Sequence, residues 1–160
     1  MIVTRRQVCE IITNSLNNDI PLDNEELEAV INGVNADIQI RDWLLGLPNT
    51  WSLEDGIKLM QHLAIHAPAE DLAPFVTIQA VYQAELGDKE KANYLLDYAL
   101  KLSPDYSLAG LVKTVLLKGL DGSMFKSMRA ELHPRVVEEC YGENGNTVIT
   151  EDGKLHESNI

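Results

Sequence analysis

The stretch from Asp71 to Leu102 constrains this chain more than any other. A helix starts near Asp71 with Pro74 tolerated in its first turn, continues through Gln83 to Leu86, and closes at Gly87, a good left-handed terminator. Asp88 restarts the chain as a helix through Leu102, where Ser103-Pro104 stops it. Two helices of about 15 residues joined by Gly-Asp must double back on each other. The segment is therefore predicted to be an antiparallel helical hairpin, with no strand between Phe75 and Leu100.

The rest of the chain carries the same kind of punctuation. Thr4 can cap a helix through about Asn17, with Val8, Ile11, Ile12 and Leu16 at helical spacing. Pro21 follows, and a second helix begins near Asp23 or Asn24, its Glu25 and Glu26 favourably placed against the helix dipole. Gly33 weakens that helix, and Asn35-Ala36-Asp37 reads as a break. A third helix is predicted from Ile38 to about Leu47. Ser52-Leu53-Glu54-Asp55 has the form of a capping box, Ser52 capping the backbone while Asp55 reaches back, and opens a fourth helix to about His66. Beyond the hairpin, Tyr106 to Lys118 forms a further helix. Residues 123–133 form its partner and stop before Pro134, after which a short helix reaches Tyr141. Gly142-Glu143-Asn144-Gly145-Asn146 then breaks regular structure. Thr147 to Thr150 and Lys154 to His156 flank Glu151-Asp152-Gly153, a β-hairpin signal. Two strands alone are marginal in water, so residues 142–160 are expected to be a flexible tail or a hairpin ordered by a partner. The fold class is all-α: a compact bundle of about seven helices over residues 1–141, with amino-terminal helices in 1–70 and hairpins in 71–133, plus the tail.

Composition fits that reading. With 160 residues one domain is the economical count, and 45% apolar but only 6% aromatic residues imply a core of Leu, Ile, Val and Ala. The charge of −12 disfavours phosphate backbones and anionic membranes, so neither direct nucleic-acid binding nor membrane binding is expected. It reads either as solubility or as a negative face for a basic partner. No apolar run approaches the ~20 residues that cross a bilayer. The start Met1-Ile2-Val3-Thr4-Arg5-Arg6 lacks the features of a signal peptide. A cytoplasmic location is expected. Cys9 and Cys140 match no ligand or redox spacing and read as incidental thiols, a single long-range disulfide being the lesser reading.

Ala80, Gly87-Asp88, Ala92, Ala99 and Pro104 resemble the small-residue ladder of a tetratricopeptide repeat, whose period is about 34 residues. Val76 replaces the usual bulky aromatic, and Gln83 stands where a tyrosine is common. Leu120-Asp121-Gly122 falls roughly one period after Leu86-Gly87-Asp88, so residues 106–133 read as a degenerate second hairpin. A broader likeness runs from Leu22 to about Leu120. It rests on Arg41-Asp42, Leu86-Gly87-Asp88, Ala92-Asn93, Asp97, Ala99-Leu100, Pro104 and Tyr106-Ser107-Leu108-Ala109. On these the chain resembles the carboxyl-terminal helical half of the actinobacterial and actinophage domain-of-unknown-function 4192 family. The resemblance implies a helical fold and an actinobacterial or bacteriophage setting, and no reaction. Full-length family members carry an additional amino-terminal α/β half with no counterpart in this chain.

Sites of chemistry are sparse. His62 and His66 share a helix face at metal-site spacing, but no Glu lies between them and no third ligand is evident nearby. No nucleophile elbow and no phosphate-cradling glycine loop is present. Catalytic, cofactor and metal residues are therefore none. In tetratricopeptide folds the first helix of each pair lines the concave surface, so the resemblance puts Thr77, Val81, Ala84 and Glu85 toward a ligand peptide. The competing reading is that the amino-terminal helices cover this face. Arg41 and Trp43 are further partner-binding candidates, set against an internal ion pair and core packing.

The leading expectation is a non-enzymatic protein–protein interaction or adaptor module. The alternatives are an acidic inhibitor that mimics nucleic acid, which needs carboxylates spaced like phosphates along one face, and an enzyme of unrecognised type, which needs a deep pocket gathering His62, His66 and carboxylates. No cofactor is expected, and neither the partner's identity nor the oligomeric state follows from the sequence.

Overall fold

Capping side chains explain where most of the helices start. The computed structural model describes residues 2–119, 122–150 and 155–156. Thr4 precedes α1 (Arg5–Asn18): its hydroxyl accepts the Gln7 amide at 3.2 Å, and Gln7 Oε1 accepts the Thr4 amide at 2.8 Å, a complete capping box. Asp23 and Glu26 repeat the arrangement at the start of α2 (Asn24–Ala36), at 2.9 and 3.0 Å. Asp37 ends α2 and caps α3 (Ile38–Leu45), its Oδ1 accepting the Gln39 amide at 3.0 Å. Ser52 caps α4 (Leu53–His66) through the Asp55 amide at 3.1 Å. The return bond expected from Asp55 is not made among the described residues, since a carboxylate one methylene shorter than Glu falls short of the Ser52 amide.

The hairpin is formed by α5 (Ala73–Glu85) and α6 (Lys89–Leu102). Gly87 turns at φ 88°, with no atom of the described residues within 4 Å of where a side chain would begin, and the Asp88 amide donates to Gln83 O at 3.0 Å. Asp88 then caps α6 through the Lys91 amide. The chain turns at Ser103-Pro104 into α7 (Ser107–Leu117).

The next helix overturns a sequence expectation. In place of a helix stopping before Pro134 and a second short one, α8 runs unbroken from Gly122 to Tyr141 with Pro134 inside it. Proline removes one backbone donor. Here Ala130 and Pro134 are both exposed, so the carbonyl that loses its partner can turn to water.

The expected carboxyl-terminal hairpin is present as strands, its turn at 151–154 lying outside the described residues. β1 (Val3–Thr4), β2 (Val148–Ile149) and β3 (Leu155–His156) make an antiparallel sheet in the order β1-β2-β3. Val3 pairs with Ile149, and Ile149 with Leu155. A strand from the chain's own amino terminus therefore does the ordering that two strands alone could not achieve.

The chain divides into two compact units that are not collinear with sequence: a terminal unit of residues 1–46 and 132–160, and a central unit of residues 47–131. The terminal unit buries Val8, Ile12, Val30, Ile40, Leu44 and Ile149. Gly33, which weakens α2 by propensity, sits where a side chain would meet Ile40 Cδ1 at 3.2 Å and Val8 Cγ2 at 3.3 Å, so its bareness lets three helices close together. The central unit packs α4 and α7 against the α5–α6 hairpin, burying Met60, Leu63, Phe75, Ile78, Tyr82 and Leu96. The architecture is all-α apart from the small sheet. Among the described residues no helix is long and apolar enough to cross a membrane.

Candidate functional site

The helix singled out for peptide binding, α5, is enclosed. Every residue from Ala73 to Ala84 is buried, because α4 covers one side of it and α6 and α7 the rest. Thr77 donates its hydroxyl to Ala73 O at 2.8 Å, and Val81 and Ala84 are core. Glu85, at the end of the helix, accepts from Arg129 Nη1 at 2.6 Å, with the two side chains 4% and 8% exposed. Arg129 also donates from Nε to Asn49 Oδ1 at 3.1 Å. Thr77, Val81, Ala84 and Glu85 thus form no solvent-facing groove in this structure. The burial has a simple cause: α5 carries apolar residues on every side, with Gln79 and Gln83 buried among them, and α4, α6 and α7 all pack against it. Burial, with Glu85 adding to it, pushes the Tyr82 hydroxyl well above the ordinary tyrosine range.

Trp43 is 4% exposed, its ring centroid 6.4 Å from that of Tyr141 in a tilted pair, so it is part of the terminal unit's core. Arg41 bonds its own neighbour, Asp42 Oδ1, through Nη2 at 2.9 Å and Nε at 3.1 Å. Both candidates take the structural role that was set against binding. His62 and His66 stack edge to face at 5.1 Å between centroids, and His66 Nδ1 meets His62 O at 3.1 Å. Among the described residues no group of three or more His, Cys, Asp or Glu side chains could hold a metal ion.

Two features went unread in the sequence. The first is a buried polar cluster in the terminal unit. Arg5 donates from Nε to Asp37 Oδ2 at 2.6 Å and from Nη2 to Asp37 Oδ1 at 3.1 Å; Nη1 reaches Asn144 O at 3.3 Å and Glu139 Oε2 at 3.5 Å. Burial opposes the charge on Arg5, but the bonds and charge of Asp37 outweigh it and hold the guanidinium protonated more firmly than usual. Beside this cluster lie Cys9 and Cys140, both completely buried and free.

The second is the outer face of α6. Tyr94 is 71% exposed and Tyr98 42%, one helical turn apart on the same face. Between them Asp97 pairs with Lys113 of α7, and Glu90 and Lys101 flank them, exposed. Leu111 and Leu117 of α7 are exposed as well. The signal was available: the buried positions of α6 are Ala92, Leu96 and Ala99, which puts the i, i+4 tyrosines on the opposite side.

Neither curated proteins nor solved structures gave a match. The family model described as a domain of unknown function, DUF4192, matches residues 4–123, from the cap of α1 to the start of α8. The match begins well before Leu22, where the resemblance in the sequence first became visible. Covering three quarters of the chain, it establishes that this protein belongs to the DUF4192 family.

Proposed function

We propose that the protein is a non-enzymatic interaction module whose protein partner docks on the outer face of α6. The observation that carries this reading is the pair Tyr94 and Tyr98, large amphipathic side chains held in water on a packed helix. Tyrosine is enriched among the residues that dominate binding energy, because it buries much area at small entropic cost. The carboxylates of Glu90 and Asp97 on the same helix, within a chain of net charge −12, suit a partner with apolar anchors flanked by Lys or Arg. On this reading the α5–α6 hairpin is a tetratricopeptide-like repeat that binds through its outer helix, its inner helix being covered. The family resemblance adds an actinobacterial or actinophage setting, and the free thiols suit the reducing cytoplasm.

The test is capture from an actinobacterial lysate with wild-type protein and with a Tyr94→Ser, Tyr98→Ser variant of unchanged melting temperature. The reading expects a partner retained by wild type, weakened by salt, and bound at least about tenfold less tightly by the variant. Equal retention by both, or none by either, would overturn it. Concentration-dependent dimerisation of the purified chain, lost in the variant, would replace the partner with a second copy.

A further inference from the structure

The outer face of α6 is ordered in charge. The buried positions of the helix are Ala92, Leu96 and Ala99, which leaves Glu90, Tyr94, Tyr98 and Lys101 exposed in one row on the opposite side, at spacings i, i+4, i+8 and i+11. A carboxylate stands at one end of the row and an ammonium at the other, with the two phenol rings between them. Among the described residues none of these four side chains makes a hydrogen bond or an ion pair. Glu90 and Lys101 stand about 16 Å apart along the axis, too far to meet within one molecule. Their midpoint nearly coincides with that of Tyr94 and Tyr98, close to the level of Leu96 in both cases. A row of this kind is complementary to itself when reversed. Turned end for end about that level, it sets acid against base at both ends and tyrosine against tyrosine between; laid parallel, it sets like charges together. The surroundings accept a second acidic chain. Although the net charge is −12, lysines outnumber carboxylates five to three between Lys89 and Lys118, so the repulsion between copies is not concentrated here. Lys113, which pairs with Asp97, brings α7 alongside, and Leu117 one turn further on is 74% exposed, so apolar area continues past the tyrosines.

Resting on the reading of this face as the docking surface, we propose that its occupant is a second copy of the chain, the two α6 helices packing antiparallel about a two-fold axis at the level of Leu96. Glu90 of each copy then faces Lys101 of the other, and Tyr94 of each packs against Tyr98 of the other, every contact being made twice by symmetry. A second copy meets the chemistry asked of the partner, since its aromatic anchors are flanked by Lys91 and Lys101. Four tyrosine side chains supply the buried area. The order of charges supplies the orientation. One helix face is a small interface, so the dimer belongs to the weak, reversible class. Because each row is fully used by the other, the contact closes at two copies.

Sedimentation equilibrium of the full-length protein, from micromolar to near-millimolar concentration, reads the association. Wild type is expected to show a reversible monomer–dimer equilibrium. Glu90→Lys and Lys101→Glu each turn both opposed pairs into like charges and should weaken the dimer at least about tenfold. Glu90→Lys also makes the chain less negative, so its loss cannot come from overall repulsion. The double variant, Glu90→Lys with Lys101→Glu, should dimerise as wild type does. An equimolar mixture of the two single variants should form a heterodimer, each supplying the charge that the other lacks. Both positions are exposed, and unchanged melting temperatures check that the fold is intact. A wild type that stays monomeric throughout overturns the second copy as occupant; capture of another protein through Tyr94 and Tyr98 would still stand, so the two readings fail separately. A dimer indifferent to both single variants puts the contact elsewhere and overturns the proposal. So does a dimer that both weaken and that neither the double variant nor the mixture restores.

Discussion

Arg5 and Asp37, on α1 and at the α2–α3 junction, share two hydrogen bonds in the interior of the terminal unit, with side chains 8% and 1% exposed. Neither charge has water to fall back on: Asp37 is tolerable because Arg5 neutralises it, and Arg5 relies on Asp37 first and on the more distant Glu139 second. Asp37 at the same time caps α3, which makes one carboxylate answerable for a helix start and for the neutralisation of a buried cation.

Asp37→Ala is therefore expected to be among the most damaging single changes in the chain. Removing one partner of a buried pair costs about 3–5 kcal/mol, to which the lost cap adds about 1 kcal/mol. Urea denaturation followed by circular dichroism measures it. A loss below about 1 kcal/mol would mean that the pair is solvated.

A second expectation concerns close approach in the central unit. A side chain at Gly56 of α4 would begin 2.9 Å from Tyr82 Cε2 of α5, a core ring with no exposure. Helix propensity alone makes Gly56→Ala stabilising by about 1 kcal/mol. Overpacking costs about 1–3 kcal/mol and should win, so the melting temperature falls. A rise would show that Tyr82 yields without strain.

The same contrast explains which parts of this structure the sequence made legible. Starts were readable because Thr4, Asp23, Ser52 and Asp88 act on amides three residues away, and Gly87 acts on its own φ. Local chemistry is written locally. The strand at Val3–Thr4 was not readable, since two residues carry no periodicity and pair with Ile149 and Val148 near the other end of the chain. Pro134 was read as a stop because the residue type disfavours helix interiors, whereas the outcome depended on its exposure. The face of α5 was misassigned for a related reason. The ladder of small residues predicted close packing, and it does pack closely, but that Thr77 and Val81 are covered follows from the placement of the helices around α5 and not from α5's spacing.

Tyr82 also sets an alkaline limit. Its folded pKa is raised, first by burial and then by Glu85, so the neutral form is the one the fold favours. Stability from this group is complete below the unfolded tyrosine value of about 10 and declines as pH rises above it. Thermal melts across that range should show a steeper alkaline loss for wild type than for Tyr82→Phe. Parallel profiles would assign the loss to other groups.

Glu85 and Arg129 provide the sharpest test of how the central unit is held. Their side chains are nearly as enclosed as Arg5 and Asp37, and Arg129 spends a further donor on Asn49. Glu85→Ala leaves Arg129 buried without its carboxylate and should cost about 3 kcal/mol or more. Arg129→Met is expected to be costly for the converse reason. Replacing both, as Glu85→Leu with Arg129→Met, restores an apolar contact and should recover most of the loss, because a buried pair is costly to break and contributes little net stability over a hydrophobic substitute. A double-mutant cycle by urea denaturation reads the coupling directly. Strictly additive losses would mean that the two side chains act independently, and that α8's first half is held to the end of α5 by something other than this pair.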